Sequence, residues 1–227
     1  MARLFDGVDD FIDLATETNF DFDRLDPFSY MFGVKTIEPN IALLISKIVV
    51  TTIRGWELAI VSGKARFQLI SDVAGDNQVR VDSTNAINDG NKKIIVLTYS
   101  GSGTAAGVKI FIDATKETNV VISDGLTATT LNNVNLELGN RSDGTFDYDG
   151  NISDFAVWDV ELSEAEAKAL GRGVSPFAIR NQSLKSYLPL YGNQSPEPDF
   201  KKQTSKGTVT GTTKDVNPPI ELIENYL

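Results

Sequence analysis

The chain has 227 residues, of which 41% are hydrophobic, and its formal net charge is −10 at neutral pH. That length is enough for one sizeable core, and the acidic balance argues against binding nucleic acid through a broad basic surface. The chain contains neither cysteine nor histidine, which excludes disulfides, thiolate nucleophiles and histidine-based acid–base or metal chemistry.

Strand-like runs dominate the chain up to about residue 158. They are rich in β-branched and aromatic residues, and turn signals such as AGDN, NDGN and SGSG separate them. In the run GVKIFID, Val108, Ile110 and Ile112 fall on one side of a strand. Many short strands with almost no helix predict an all-β sandwich.

One helix is predicted near residues 163–170. Ser163 and Glu166 have the spacing of a capping box, and Gly171 and Gly173 suit the left-handed backbone that ends many helices. Because the helix carries little apolar surface, we expect it to be a small plug on a larger body. The apolar residues expected to hold it there are Leu162, Ala165, Ala169 and Leu170.

The sequence shows neither a secretion signal nor a membrane-spanning segment. The N-terminal MARLFDGVDD has no apolar region of the kind that a secretion signal needs, and IALLISKIVV is interrupted by Lys47 and too short to span a bilayer. We therefore expect synthesis in the cytoplasm and no membrane insertion.

Three stretches, in this order, resemble the laminin-G-like and concanavalin A-like jelly rolls of the lectin–glucanase superfamily. They are RLFDGVDDFIDL, KKIIVLTYSGSGTAAGVKIFIDA and LELGNRSDGTFDYDGNISDFAVWDVELSEAEAKAL. The resemblance implies an antiparallel two-sheet jelly roll whose short helix covers an end of the sandwich. It also predicts these core residues: Phe5, Ile12, Ile95, Leu97, Ile110, Ile112, Leu138, Ile152, Phe155 and Val157.

The C-terminal stretch LKSYLPLYGNQSPEPDFKKQTSKGTVTG resembles the segment that ordinarily precedes the first strand of this family. The chain therefore looks like a circularly permuted jelly roll, similar to versions encoded by tailed phages. We expect a single domain, residues 1–227, in which 184–213 return to complete the sandwich and 214–227 form a tail. The permutation also predicts that Thr212 lies close to Arg3.

Candidate site residues lie in loops. Among the aspartates at 9, 10, 13, 143, 147 and 149, the best calcium ligands are Asp10, Asp147 and Asp149, although turn capping is the favoured interpretation of such residues. Phe146 and Tyr191 are the best glycan-stacking candidates, since they fall in loops rather than in core-facing strand positions. No other cofactor is expected.

Three functions stay open at this point. The phage resemblance implies a non-enzymatic virion protein, in a capsid decoration, tail or fibre, made in the host cytoplasm and assembled as a multimer with other virion proteins. The alternative is a lectin or adhesion module that binds cell-surface glycans, either cytoplasmic or released without a signal peptide. A glycoside hydrolase is a third reading, disfavoured because no Glu-x-Asp-x-x-Glu strand motif occurs.

Overall fold

A computed structural model describes residues 1–15, 17–192, 194–202 and 206–215. One α-helix is present in these residues, α1 (Glu164–Leu170). The strands, in chain order, are β1 (Ala2–Asp6), β2 (Phe11–Leu14), β3 (Phe28–Lys35), β4 (Ala42–Val49), β5 (Arg54–Val61), β6 (Lys64–Asp72), β7 (Asn77–Ala86), β8 (Lys93–Tyr99), β9 (Val108–Ile112), β10 (Thr115–Lys116), β11 (Val120–Asp124), β12 (Leu136–Leu138), β13 (Asp149–Trp158), β14 (Leu184–Leu188), β15 (Glu197–Pro198), β16 (Lys206–Thr210) and β17 (Thr213–Asp215).

The strands form two antiparallel sheets, which confirms the predicted jelly-roll sandwich. One sheet has the order β10-β9-β8-β3-β13-β1-β17, with β14 also paired to β13. The other has the order β11-β7-β6-β5-β4-β12-β2-β16-β15. No helix in the described part of the chain has the length and apolar character needed to cross a membrane.

The main core lies between the two sheets, and all ten predicted core residues are buried in it. Its centre is aromatic. The ring of Trp56 lies 5.6 Å from that of Tyr30 and 5.7 Å from that of Phe28. Burying each such side chain stabilises the fold by about 1.5–3 kcal/mol, so this region outweighs any single surface contact.

A second apolar cluster lies on the opposite face of the eight-stranded sheet, and it contains the helix. Ala167 and Leu170 of α1 pack with Phe111 and Val96, which alternate along their strands with core-facing neighbours. The prediction that the helix covers an end of the sandwich is therefore wrong: it covers a sheet face. The predicted contact through Ala165 is also wrong, because that side chain is exposed.

The capping box at the start of the helix is confirmed. The Ser163 side chain accepts from the Glu166 amide, and the Glu166 carboxylate accepts from the Ser163 amide at 2.8 Å. Gly171 does not adopt the predicted left-handed backbone, since its φ is −61°. A glycine is needed there because a β-carbon would lie 2.4 Å from the backbone nitrogen of Ala114.

The C-terminal segment returns to the sandwich as predicted. β14 pairs with the second half of β13, opposite Phe155–Trp158, while β1 pairs with the first half. β16 pairs with β2, and β17 pairs with β1. The Arg3 guanidinium donates to the Thr212 carbonyl at 3.1 Å, which confirms the predicted proximity.

The boundaries of this segment differ slightly from the prediction. Lys214 and Asp215 belong to β17, so the predicted tail at 214–227 begins two residues too early. Residues 216–227 of that tail lie outside the described residues. The assignment of residues 1–227 to one domain stays a prediction.

Candidate functional site

A row of polar side chains crosses the outer face of the nine-stranded sheet. Residues directly opposite each other in an antiparallel pair point to the same face, so the strand register identifies the row. Its neighbours along each strand, such as Leu136 and Leu138 on β12, point into the core. We call this row the polar band; its members, in spatial order, are Ser123, Arg80, Gln68, Glu57, Ser46, Glu137, Asp13 and Thr208.

One end of the polar band is a connected hydrogen-bond chain. Arg80 donates to the Gln68 side-chain oxygen at 2.5 Å and to Gln78 at 2.9 Å. The Gln68 amide in turn donates to Oε1 of Glu57. These bonds hold the side chains at this end of the band in place.

The centre of the polar band holds buried oxygen atoms with no hydrogen-bond partner among the described residues. They are Oε2 of Glu57, Oγ of Ser46, Oε2 of Glu137 and Oδ1 of Asp13. Four such atoms on consecutive positions of one row are unusual, because buried polar groups are nearly always paired. These four atoms are closed off from solvent, so a ligand on this face would meet the half-buried side chains of Glu137 and Asp13 rather than the unpartnered oxygens.

The two glutamates of the polar band have perturbed pKa values. Burial raises the pKa of Glu57, and the positive charges of Arg141 and Arg80 act in the opposite direction. Burial, together with the negative charges of Asp13 and Asp143, raises the pKa of Glu137 to about 7. Perturbed carboxyls that share one face are typical of functional sites.

The loop between β12 and β13 places an aromatic side chain near the polar band. The Leu43 amide of β4 donates to the Phe146 carbonyl at 2.8 Å, which fixes the loop to the sheet. The Arg141 guanidinium lies 4.7 Å from the centre of the Phe146 ring, whose residue is 40% exposed and has a φ of 62°. A left-handed backbone at a bulky residue stores strain, and such strain is concentrated at functional sites.

The predicted calcium ligands lie at one end of the sandwich. Asp10 is grouped with Asp6 and Asp9, whose carboxylate oxygens all lie within 4.8 Å of one another. Asp149 is opposite Asp6 in the β1–β13 register, and the charges of Asp6 and Asp9 help to raise the pKa of Asp147, after the larger effect of burial. The two predicted loops therefore lie close together, and Asp6, which the sequence did not single out, lies among their aspartates.

Turn capping already uses part of this acidic group. Asp10 accepts from the Asp6 amide at 2.9 Å, and Asp6 accepts from the Val8 amide at 3.0 Å. The remaining oxygens are of the type that calcium prefers. Calcium binding at Asp10, Asp147 and Asp149 stays a prediction, and Asp13 lies in the polar band instead.

Tyr191, the second predicted glycan residue, belongs to a different aromatic group from Phe146. Its ring lies 5.9 Å from that of Phe200, which is 45% exposed. Phe200 also lines a cavity of about 590 Å³, together with Phe177, Pro198, Asp199 and Lys206. The two aromatics named from the sequence therefore do not form one site.

Comparisons with known proteins agree with the fold. A family model described as the concanavalin A-like lectin/glucanases superfamily matches residues 6–168. Among curated protein sequences, none matches the chain. The similar solved structures share 12–17% sequence identity with the chain, at which level the likeness shows the fold alone.

Three of these structures illustrate the range. A Bacteroides ovatus protein described as a carbohydrate-binding candidate has a TM-score of 0.69 and 17% identity, over 97% of this chain and 61% of its own. The CBM40 domain of a Ruminococcus gnavus sialidase, bound to sialyllactose, has a TM-score of 0.57 and 17% identity, over 75% of this chain and 98% of its own. Domains LG4-5 of the mouse laminin α1 chain have a TM-score of 0.53 and 15% identity, over 72% of this chain and 43% of their own. The chain thus spans about three-fifths of the length of the Bacteroides protein.

Proposed function

Because this chain belongs to the concanavalin A-like lectin/glucanase superfamily, we propose that it is a carbohydrate-binding module whose glycan lies along the polar band beside Phe146. The observation that carries the proposal is the exposed ring of Phe146, which its loop and Arg141 hold beside the carboxyl side chains of the polar band. Sugars combine hydroxyl donors with apolar C–H faces, so a row of acceptors beside an exposed aromatic ring matches both properties.

Binding to an oligosaccharide panel, followed by calorimetry, tests this proposal. Replacing Phe146→Ala is expected to weaken binding about 10-fold, or about 1.4 kcal/mol, because the sugar loses its stacking surface. Phe177→Ala is the matched control, since Phe177 is comparably exposed but belongs to the other aromatic group. Equal weakening by both changes, or none by Phe146→Ala, contradicts the proposed site.

We extend the proposal to a virion setting, in which the protein is a multimeric component of a phage particle made in the host cytoplasm. Its support is the resemblance of residues 184–213 to the moved first segment of permuted jelly rolls, and the return of β14, β16 and β17 to the sheets. Co-purification with particles at a fixed stoichiometry is the expected result. If particles from cells that make the protein do not contain it, the virion proposal is contradicted, while the glycan-binding proposal is unaffected.

A second candidate function is glycoside hydrolysis, although we propose that the protein is not an enzyme. The favouring observation is that Glu57 and Glu137 lie on the same face with Ser46 between them, two strand spacings apart, or about 10 Å between backbones. Carboxyl groups about 6.5–9.5 Å apart suit an inverting mechanism, in which one acid protonates the leaving oxygen and the other activates water. Release of reducing ends that Glu57→Gln and Glu137→Gln both abolish supports hydrolysis; intact oligosaccharides after prolonged incubation exclude it.

A further inference from the structure

We propose that residues 216–227 of this chain cover a groove of exposed aromatic rings beside β14. The proposal does not depend on glycan binding at the polar band. It rests on the chemistry of the groove, the place where the described chain ends and the composition of the residues that follow. The groove, which we call the aromatic groove, is the cavity of about 590 Å³ lined by Phe177, Pro198, Asp199, Phe200 and Lys206.

The aromatic groove presents a large apolar surface. Phe200 is 45% exposed and Phe177 is 36% exposed. Both rings pack edge-on against the ring of Tyr187, with 6.4 Å and 5.3 Å between centroids. Aromatic rings that are grouped in this way and still open to water are typical of a surface that another segment or molecule covers.

Hydrogen bonds hold the walls of the aromatic groove in place. The Asp199 carboxylate accepts from the Ser186 hydroxyl at 2.8 Å and from the Tyr187 amide at 3.0 Å. The Phe200 amide donates to the Tyr187 carbonyl at 2.8 Å. The loop that carries Phe200 is therefore fixed to β14, so a segment that enters the groove meets a preformed surface.

The described chain ends in a strand that is directed towards this groove. β1 and β14 lie end to end on the same side of β13, opposite Asp149–Ile152 and Phe155–Trp158 respectively. β17 runs antiparallel to β1, with Asp215 opposite Ala2. A chain that continues past Asp215 in this direction therefore moves from β1 towards β14.

The end of β17 is also close to the aromatic groove. Arg3 is opposite Ile152, and Tyr187 is opposite Ala156. Asp215 is paired with the residue before Arg3, so it is about three strand residues, or about 10 Å, from Tyr187 along the sheet. Docking within one chain over so short a distance has an effective concentration of about millimolar order, which favours this chain's own segment over that of a second copy.

Direct contacts agree with this short distance. A β-carbon at Gly192 would lie 2.9 Å from the α-carbon of Lys214, so the loop after β14 touches β17. The next residue in that loop, Tyr191, has its ring 5.9 Å from that of Phe200. One wall of the aromatic groove is thus adjacent to the strand from which residues 216–227 continue.

The composition of residues 216–227 matches the groove. The sequence is VNPPIELIENYL, in which apolar side chains predominate and the only charged residues are Glu221 and Glu224. Lys206, which lines the groove, is exposed and has no carboxylate partner among the residues that the structure describes. The segment therefore offers both apolar surface for the rings and negative charge for the lysine. Fully extended, its twelve residues reach about 40 Å, which is more than the groove requires.

Paramagnetic broadening in NMR spectra of the full chain tests the proposal. The chain has no cysteine, so Asn225→Cys provides a single site for a nitroxide label without removing an apolar side chain. We expect the amide signals of Phe177 and Phe200 to be broadened beyond detection. The signals of Phe146 and Val121, which are comparably exposed on other parts of the molecule, should keep their intensity.

Variants of the segment separate specific docking from chance proximity. Leu222→Asn combined with Ile223→Asn should restore the signals of Phe177 and Phe200, because the segment loses its apolar contacts. The same double change should give a several-fold gain in the fluorescence of an anilinonaphthalene dye, which binds exposed apolar surface. Asn217→Ser is the matched control within the segment and should change neither readout.

Two results would overturn the proposal. Unchanged signals of Phe177 and Phe200 in the folded, labelled chain would show that the segment does not cover the groove. A mixture of isotope-labelled chains without nitroxide and nitroxide-labelled chains without isotope gives the second test. Equal broadening in that mixture would show that the segment of another copy is the occupant. Either result leaves the glycan-binding proposal unaffected.

Discussion

The surroundings of a single side chain in the polar band change its pKa, as Glu137 shows. Glu137 has a core leucine on each side along β12 and a carboxylate opposite it on β2. An isolated glutamate in water titrates near 4.3, but this one holds its proton to about 7 because its ionised form is both desolvated and repelled. The stability of the protein should therefore depend on pH through this residue.

The difference in unfolding free energy between Glu137→Gln and the wild type is expected to favour the variant more at about pH 8 than at about pH 5. A folded pKa above the unfolded one means that the folded state binds the proton more tightly, so wild-type stability falls as pH rises between the two values. Glutamine cannot ionise and does not lose this contribution. Allowing for screening of a half-exposed group, we expect a difference of about 1 kcal/mol between the two pH values.

Denaturant melts of the wild type and the variant at both pH values measure this difference. Glu164→Gln is the control, since the exposed Glu164 has its pKa lowered by Lys168 and should show a much smaller change of opposite sign. A stability gain for Glu137→Gln that is the same at both pH values would show that the effect is not ionisation.

Elements are the scale at which sequence reasoning succeeded most fully. The Ser163 and Glu166 spacing located α1, and the alternation in GVKIFID put Val108, Ile110 and Ile112 on one side of β9, which is the side that faces the main core. Both are local patterns, each decided within a few residues. The predicted position of the helix was wrong because the helix packs on Phe111 and Val96. These residues are distant from it in sequence, and no local pattern shows that they form a second apolar surface.

The polar band could not be predicted for the same physical reason. Glu57, Ser46 and Glu137 come from three strands, and nothing local to any of them encodes the register that puts them in one row. Phe146 was identified because its loop carries an aromatic residue between polar ones, which is a local signal. The sequence thus identified Phe146 and the return of the C-terminal segment to the sandwich. It did not identify the polar band.

Removing the helix cap should destabilise the protein by a modest, measurable amount. Ser163→Ala leaves the Glu166 amide without its side-chain acceptor, and loss of an N-cap costs about 1 kcal/mol. Ala165→Ser, an exposed position in the first turn, is the control and should cost less than about 0.5 kcal/mol. Equal midpoints for Ser163→Ala and the wild type in chemical denaturation would mean that α1 is not coupled to global unfolding.

The whole molecule is closed by contacts between its N-terminal strand and its C-terminal segment. Arg3 and Glu197 form a buried ion pair at 2.7 Å, and the Arg3 guanidinium also reaches the carbonyls of Thr212 and Gln194. Both residues are at least 95% buried, so each would be left as an uncompensated charge without the other. Breaking a buried pair is more costly than never having formed it.

Arg3→Met is accordingly expected to destabilise the protein by about 3–5 kcal/mol, because Glu197 is left buried and unpaired. The double change Arg3→Met with Glu197→Leu should recover a large part of that loss. Lys168→Ala removes an exposed pair on α1 and should cost under about 0.5 kcal/mol. A double variant that is no more stable than Arg3→Met alone would show that the pair is not what closes the fold.

Deleting residues 174–227 removes β14–β17, which together cover part of β13 and the free edges of β1 and β2. Leu188 and Leu190, both in the main core, are lost with them. We expect the shortened chain to be insoluble or to lack cooperative unfolding by circular dichroism. A shortened chain as stable as the full one would show that the C-terminal segment is an appendage.

The pairing of β1 with β17 also sets the order in which the sheet can be completed during synthesis. β1 leaves the ribosome about two hundred residues before its neighbour β17, and the pairing of Arg3 with Lys214 spans nearly the whole described chain. Contacts of such long sequence separation form slowly and only once the intervening chain is available. A product interrupted before β17 thus leaves the hydrogen-bonding groups on one side of β1 open, whereas in the longer chain the short strand β17 covers that side and becomes the edge of the sheet.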